Sequence, residues 1–189
     1  MSTLLDRVDW PVRTERLTLR RATVHDAATT WTYRSLPEVG AWITSAPDDF
    51  ATYLEQFTDE KSLALTLVIE REGIVIGDLM VHVRDAWSQR EVREQAVGAE
   101  AELGWSLAPG HQGQGYATEA VRATISLCFA QLGVRRVVAE CFADNEPSWR
   151  LMERLGMRRE GHAVRDSLHR SGEWLDGLTY AVLREEWTG

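Results

Sequence analysis

The chain has 189 residues and a mass of 21.4 kDa, which accommodates one domain with a sizeable buried core. Its 44% hydrophobic and 26% charged residues match a globular protein and argue against wholesale disorder. With 21 Lys and Arg against 29 Asp and Glu, the net charge of −8 suits a polyanionic nucleic acid poorly. The apolar stretches are also far shorter than the roughly 20 residues of a membrane span.

In chain order, the opening segment carries Asp6 and Asp9 and lacks the apolar centre of a secretory signal, so a cytoplasmic location is expected. Glu15 to Arg21 alternates through Leu17 and Leu19 and predicts a first strand. Thr23 with Asp26 three residues on resembles a capping box and opens a helix toward Ser35, after which Pro37 interrupts. Ser45, Pro47 and Asp48 restart a helix to about Phe57. Leu63 to Ile69 and Ile74 to Val83 read as two strands, and the turn Arg71-Glu72-Gly73 joins them as an antiparallel hairpin. Asp85 to Gln95 is a charged, exposed excursion.

Ala99 to Leu107 predicts the next strand, with Ala101, Leu103, Trp105 and Leu107 on one face and Glu100, Glu102, Gly104 and Ser106 on the other. A helix from Ala117 to Leu132 keeps a helical spacing of apolar residues until Gly133 stops it. A strand at Arg136 to Phe142 follows. Asn145 and Pro147 then start a helix that Gly156 ends, and extended segments near Met157 to Val164 and Leu175 to Leu183 flank a Ser171-Gly172 turn. The order is mixed α/β, with antiparallel hairpins at both ends and a strand–helix–strand unit between them. Cys128 and Cys141 lie in apolar surroundings without C-x-x-C spacing, so reduced, buried thiols are expected. The five histidines offer no metal-ligand spacing, and no metal is expected.

The segment Leu107-Ala108-Pro109-Gly110-His111-Gln112-Gly113-Gln114-Gly115-Tyr116-Ala117-Thr118 runs from a strand through a glycine-rich loop into a helix. Glycines let backbone approach a ligand, and the free N–H groups of a helix's first turn suit an anionic pyrophosphate. The plain alternative is an ordinary strand-to-helix turn. A Walker loop is excluded, because Lys61 is the only lysine. A dinucleotide fingerprint survives weakly, with Thr118 where its third glycine belongs.

Gln112-Gly113-Gln114-Gly115-Tyr116-Ala117 resembles the Q/R-x-x-G-x-G/A signature of the GNAT superfamily of N-acetyltransferases, which binds the pyrophosphate of acetyl-CoA. Three further blocks extend the resemblance: Thr14 to Arg20, Glu102 to Leu107, and Asn145 to Ser148 leading into Leu151 to Met157. Together they are similar to the RimJ/RimL branch, associated with acetylation of ribosomal-protein N-termini, over about residues 14–186. The resemblance implies a single GNAT-like domain over residues 1–189. Its central sheet would be mostly antiparallel, flanked by helices, and splayed at a V between the strands near 99–107 and 136–142. Acetyl-CoA would be the co-substrate and an amine the acceptor. Relatives of this kind often dimerise, which extends the expectation to a homodimer.

By the same resemblance, Gln112 to Thr118 would hold the pyrophosphate. Trp105, Ser106 and Leu107 would pair with the pantetheine amides like an added strand, and Asn145 would bond nearby. Asn145 as a helix cap is the simpler reading. Ser148 fits the branch's N-x-x-S pattern and would stabilise the departing thiolate. Met152 stands where other members of the superfamily carry a tyrosine, so the burden falls on Ser148. Glu102 is the first choice for general base, with Glu100 near enough on the same face to raise a carboxylate's pKa. Glu140 is second and Asp166 third; solvated carboxylates on an exposed face are the alternative. His111 would be a solvated loop histidine or an aid to the anion. Trp31 and Trp42 fall in the segment that shapes the acceptor pocket in this superfamily, although packing alone explains many tryptophans. Two competing functions stay open: acetylation of a small amine such as an aminoglycoside or polyamine, and a non-catalytic acyl-CoA sensor.

Overall fold

Local capping and turn chemistry decide where most elements start, as seen in a computed structural model that describes residues 4–189. Strand β1 (Val12–Arg13) folds back on β2 (Thr18–Arg21), so the alternation that begins at Glu15 is spent partly on the connecting turn. The Asp26 carboxylate accepts from the Thr23 N–H at 2.7 Å and its hydroxyl at 3.0 Å, and α1 (Ala27–Arg34) follows this capping box. Pro37 does more than interrupt. It opens the short helix α2 (Pro37–Gly40) from a first-turn position, where its missing N–H costs nothing. Asp49, one residue after the Pro47-Asp48 signal, caps α3 (Phe50–Thr58) by accepting from the Thr52 N–H at 2.9 Å.

The expected strand from Leu63 is corrected to a helix followed by a strand. Asp59 accepts from the N–H groups of Lys61 and Ser62 at 3.0 and 3.1 Å, launching α4 (Glu60–Leu65). Only then does β3 (Thr66–Arg71) begin. A short apolar run fits either state, and here the upstream cap settles the choice. Strand β4 (Ile74–Arg84) pairs with β3 through Arg71 and Ile74, and the connecting Glu72 and Gly73 have φ of 53° and 80°. Two consecutive left-handed residues are what a tight hairpin turn of the primed type requires.

After an exposed 3₁₀ turn at Arg90–Ala96 come β5 (Glu100–Leu107) and α5 (Tyr116–Leu127), which widens into a π turn at Cys128–Leu132. Gly133 closes it at φ 78°. Strand β6 (Arg136–Phe142), helix α6 (Glu146–Arg154) and strands β7 (Arg158–Leu168) and β8 (Trp174–Leu183) complete the chain. Strand β7 extends past the expected Val164, with register shifts on either side of His162.

The strands follow the order β1-β2-β3-β4-β5-β6-β8-β7. Pairs β1–β2, β2–β3, β3–β4, β6–β8 and β7–β8 are antiparallel, and β5–β6 is parallel. The parallel ladder matches Glu100 with Arg136 and Glu102 with Val138, then stops, although β5 continues to Leu107 and β6 to Phe142.

Contacts group the chain into two compact units. The first holds the residues up to Val81 with Trp105–Ala123; the second holds His82–Gly104 with Thr124–Gly189. Leu19, Leu67, Ile69, Ile76, Leu79 and Val121 are fully buried in the first. Ile125, Cys128, Val137, Met152, Tyr180 and Ala181 are fully buried in the second.

Candidate active site

In the first unit, the loop after β5 is built from its own side chains. The Gln112 amide donates to the Leu107 carbonyl at 3.0 Å and the Gln114 amide to the Gly110 carbonyl at 3.1 Å. Gly113 and Gly115 turn at φ of 73° and 82°. No atom lies within 4 Å of where a Cβ at Gly113 would stand. The first bond of α5 is Glu119 N–H to Gly115 carbonyl at 3.0 Å. The N–H groups from Gly113 through Thr118 donate to no acceptor among the described residues. Free donors at the positive end of a helix, with Gln112 to Gly115 exposed, fit an anionic pyrophosphate.

A long-range anchor fixes this helix start. Glu119 accepts from the Thr14 hydroxyl at 2.6 Å, the Arg16 N–H at 2.8 Å and the Arg16 guanidinium at 2.6 Å. Burial pushes the Glu119 carboxyl up, but these bonds outweigh it and hold the group below the usual carboxylate range. Arg16 also donates to the Gln114 carbonyl at 3.1 Å and lies 4.6 Å from the centre of the buried Tyr116 ring. Arg71 lies 5.2 Å from that ring. His111 is half-buried and so not a solvated loop residue; its Nδ1 is enclosed without a partner.

Ser106 has a task its sequence did not show. Its hydroxyl donates to the Asp78 carboxylate at 2.7 Å, which also accepts from the Tyr33 hydroxyl at 2.7 Å and the Arg34 guanidinium at 2.5 Å. Asp78 is 4% exposed, and burial beside it pushes the Tyr33 hydroxyl well above its ordinary pKa. Backbone is close here too: a Cβ on Gly77 would stand 2.6 Å from the Ser106 carbonyl oxygen. The Ala108 N–H donates to the Ile76 carbonyl at 2.9 Å. Strand alternation therefore turns the backbone polar groups of Trp105 and Leu107 away from β4. Gln112 already occupies the Leu107 carbonyl, so of these residues Trp105 is the one the loop leaves untouched. Trp31 stacks on Tyr53 and Phe50 at 5.1 and 6.1 Å between ring centres and packs against the cluster of Ala27, Tyr53 and Phe57, whereas Trp42 is partly exposed.

In the second unit, Glu100 and Glu102 are not solvated carboxylates on an open face. Glu100 is 8% exposed, and Arg84 spans both, reaching Glu100 at 2.8 Å and Glu102 at 2.7 Å. Arg136 binds the other Glu100 oxygen. The pair expected to act on each other by repulsion is thus bridged by a guanidinium. Glu140 is exposed, pairs with Thr179 across the ladder and makes no ion pair among the described residues. Asn145 holds the N-cap position of α6 without a side-chain cap bond. The Ser148 hydroxyl faces the Cys141 thiol; burial pushes that thiol up to about 11, with Ser148 pulling against it. Burial alone pushes Cys128 to about 12. Asp166 is exposed on β7, bonded by the Ser167 hydroxyl at 2.9 Å. No group of three or more potential metal ligands gathers among the described residues. No helix of the described residues is long and apolar enough to cross a membrane.

Sequence reasoning passed over Asp78 and Arg84. A lone aspartate inside the apolar run Ile74–Val83 signals the first; nothing local signals the second.

The strand order, the interrupted parallel ladder and the glycine loop opening a helix together define an N-acetyltransferase fold. A family model for the acetyltransferase (GNAT) domain matches residues 16–158, and the chain belongs to this family. It is similar to YnaD of Bacillus subtilis, an uncharacterized N-acetyltransferase. The two are 27% identical over 179 residues, covering 93% of this chain and 98% of YnaD. The crystal structure of a GNAT-family acetyltransferase from Bacillus anthracis is 29% identical with a TM-score of 0.78, covering 93% of this chain and 99% of that one. Mycobacterium smegmatis RimJ, solved in complex with CoA-disulfide, shares the fold at 23% identity and a TM-score of 0.73, covering 92% of this chain and 84% of RimJ.

Proposed function

We propose that the chain transfers an acetyl group from acetyl-CoA to the primary amine of a protein or peptide N-terminus, by direct attack within a ternary complex. The observation that carries the cofactor assignment is the run of free N–H groups from Gly113 through Thr118. Resemblance to the RimJ/RimL branch carries the acceptor class. Bound acetyl-CoA supplies a thioester whose C–S bond breaks as the amine's N–C bond forms. Gln112 to Thr118 anchor the pyrophosphate, and Trp105 and Asn145 offer polar groups to the pantetheine arm. No thiolate nucleophile is at hand, since burial holds the thiols of Cys128 and Cys141 protonated. The deciding measurement is CoA release with N-terminal peptides, aminoglycosides and polyamines as acceptors. Turnover with peptides supports the reading, turnover confined to the small amines moves the acceptor class, and none with any amine leaves an acyl-CoA sensor.

Ser148 protonates or hydrogen-bonds the departing sulfur. Ser148→Ala should therefore lower kcat by roughly tenfold to a hundredfold, the worth of one transition-state hydrogen bond of about 1–3 kcal/mol. KM for acetyl-CoA should change little, and an effect confined to KM would reduce Ser148 to a binding role.

Glu102 takes the proton from the acceptor ammonium, with Glu140 as the alternative. Glu102→Gln keeps shape and removes basicity, so it should cut turnover and erase the acidic limb of the kcat/KM profile. If the limb persists there and disappears in Glu140→Gln, the base is Glu140.

A further inference from the structure

Glu102 ends a chain of ion pairs that runs through the second unit. From the far end it reads Glu186, Arg158, Glu160, Arg136, Glu100, Arg84, Glu102. The nitrogen–oxygen separations are 2.6 Å for Arg158–Glu160, 2.5 Å for Arg136–Glu160, 2.8 Å for Arg84–Glu100 and 2.7 Å for Arg84–Glu102. Carboxylates and guanidinium groups alternate strictly, and both ends are carboxylates, so the chain carries one negative charge in excess. The two ends differ. Glu186 is a rim residue whose second oxygen accepts the Leu183 N–H at 2.9 Å. Glu102 gives one oxygen to Arg84, and its other oxygen accepts nothing among the described residues.

The excess charge has an open acceptor atom at one end only. A guanidinium that donates to a carboxylate on each side holds both neighbours in place through charge-assisted hydrogen bonds. Arg84 can hold Glu102 because Arg136 already neutralises the far oxygen of Glu100. Arg84 also comes from β4, so the rotamer of Glu102 is fixed from across the sheet.

We infer that Arg84 is a positioning residue for acetyl transfer: it clamps one oxygen of Glu102 and leaves the other, with the chain's unpaired negative charge, to the acceptor ammonium. The inference rests on the reading of Glu102 as the base. The charged and titratable groups around Glu102 are Arg84 and His82 on β4, Glu100 on β5, and Arg136 and Glu140, which the parallel register places on the same face of β6. Arg84 is the one within hydrogen-bond distance.

The test is the pH profile of kcat/KM together with the carbon-13 titration of the Glu102 carboxyl in the free enzyme. Arg84→Met removes the cation and should move both the acidic limb and the carboxyl titration to higher pH. Arg84→Lys, which keeps the charge and loses the fork, should restore most of the limb while leaving kcat low. Glu100→Gln should move both readouts the other way, because it removes a like charge and leaves Arg84 wholly to Glu102. That variant keeps the inference testable should Arg84→Met fail to fold. An unmoved carboxyl titration in Arg84→Met or Glu100→Gln overturns the clamp. A carboxyl titration that moves while the limb stays fixed upholds the clamp and overturns Glu102 as base, with His82→Gln and Glu140→Gln then showing which group owns the limb.

Discussion

Gly115→Asp should abolish measurable acetyl-CoA binding while the protein stays folded. Gly115 sits at φ 82° between the free N–H groups of the loop and those of α5, and a Cβ there would stand 3.4 Å from an Arg16 nitrogen. An aspartate would place its carboxylate among the free N–H donors, where it would repel the proposed pyrophosphate, and compete with Glu119 for Arg16. Charge-assisted hydrogen bonds contribute about 1.5–3 kcal/mol each, so losing two of them weakens binding by roughly two to four orders of magnitude. Gly115→Ala separates the causes, since it carries the backbone strain of about 1–3 kcal/mol without the charge. Titration calorimetry should show a modest loss for alanine and no detectable heat for aspartate. Equal affinities in folded Gly115→Asp and the parent would remove the loop from cofactor binding.

Asp78→Ala should be the most destabilising single change in the first unit. It strands the Tyr33 hydroxyl, the Ser106 hydroxyl and the Arg34 guanidinium around one buried vacancy. Breaking a buried ion pair from one side costs about 3–5 kcal/mol. For a chain of this size that corresponds to a fall in Tm of roughly 10 °C. Asp78→Asn retains an acceptor and should recover part of the loss. A drop of under about 2 °C in Asp78→Ala would show that water satisfies the three donors as well as the carboxylate does.

What the sequence revealed and what it hid divide by range. Thr23 with Asp26, Gly133 after Leu132 and Glu72-Gly73 in the hairpin act within a few residues, so their residue types declare them. The glycine loop after β5 is legible for the same reason: Gly113 and Gly115 turn at positive φ, and the helix that follows opens at Tyr116. Leu63 to Leu65 misled because an apolar run has no period of its own, and the cap at Asp59 lay just upstream. Glu100 and Glu102 looked like solvent-facing alternates because their partner, Arg84, reaches them from the neighbouring strand. Asp78 finds Tyr33, Arg34 and Ser106 across separations of 28 to 45 residues. No local pattern encodes such a meeting; the ladder register creates it.

The bonds from Thr14 and Arg16 to Glu119 cross 105 and 103 residues of sequence. Loops of that length close at an entropic cost that must be met before the contact returns anything, so contacts of this kind form late in folding. The unit that contains them is discontinuous, its final piece being Trp105–Ala123. During synthesis the opening segment therefore waits for more than half of the chain before its partner emerges. The helix start at Tyr116 is thus held by contacts between distant pieces of this unit, where the β3–β4 hairpin is held by local ones.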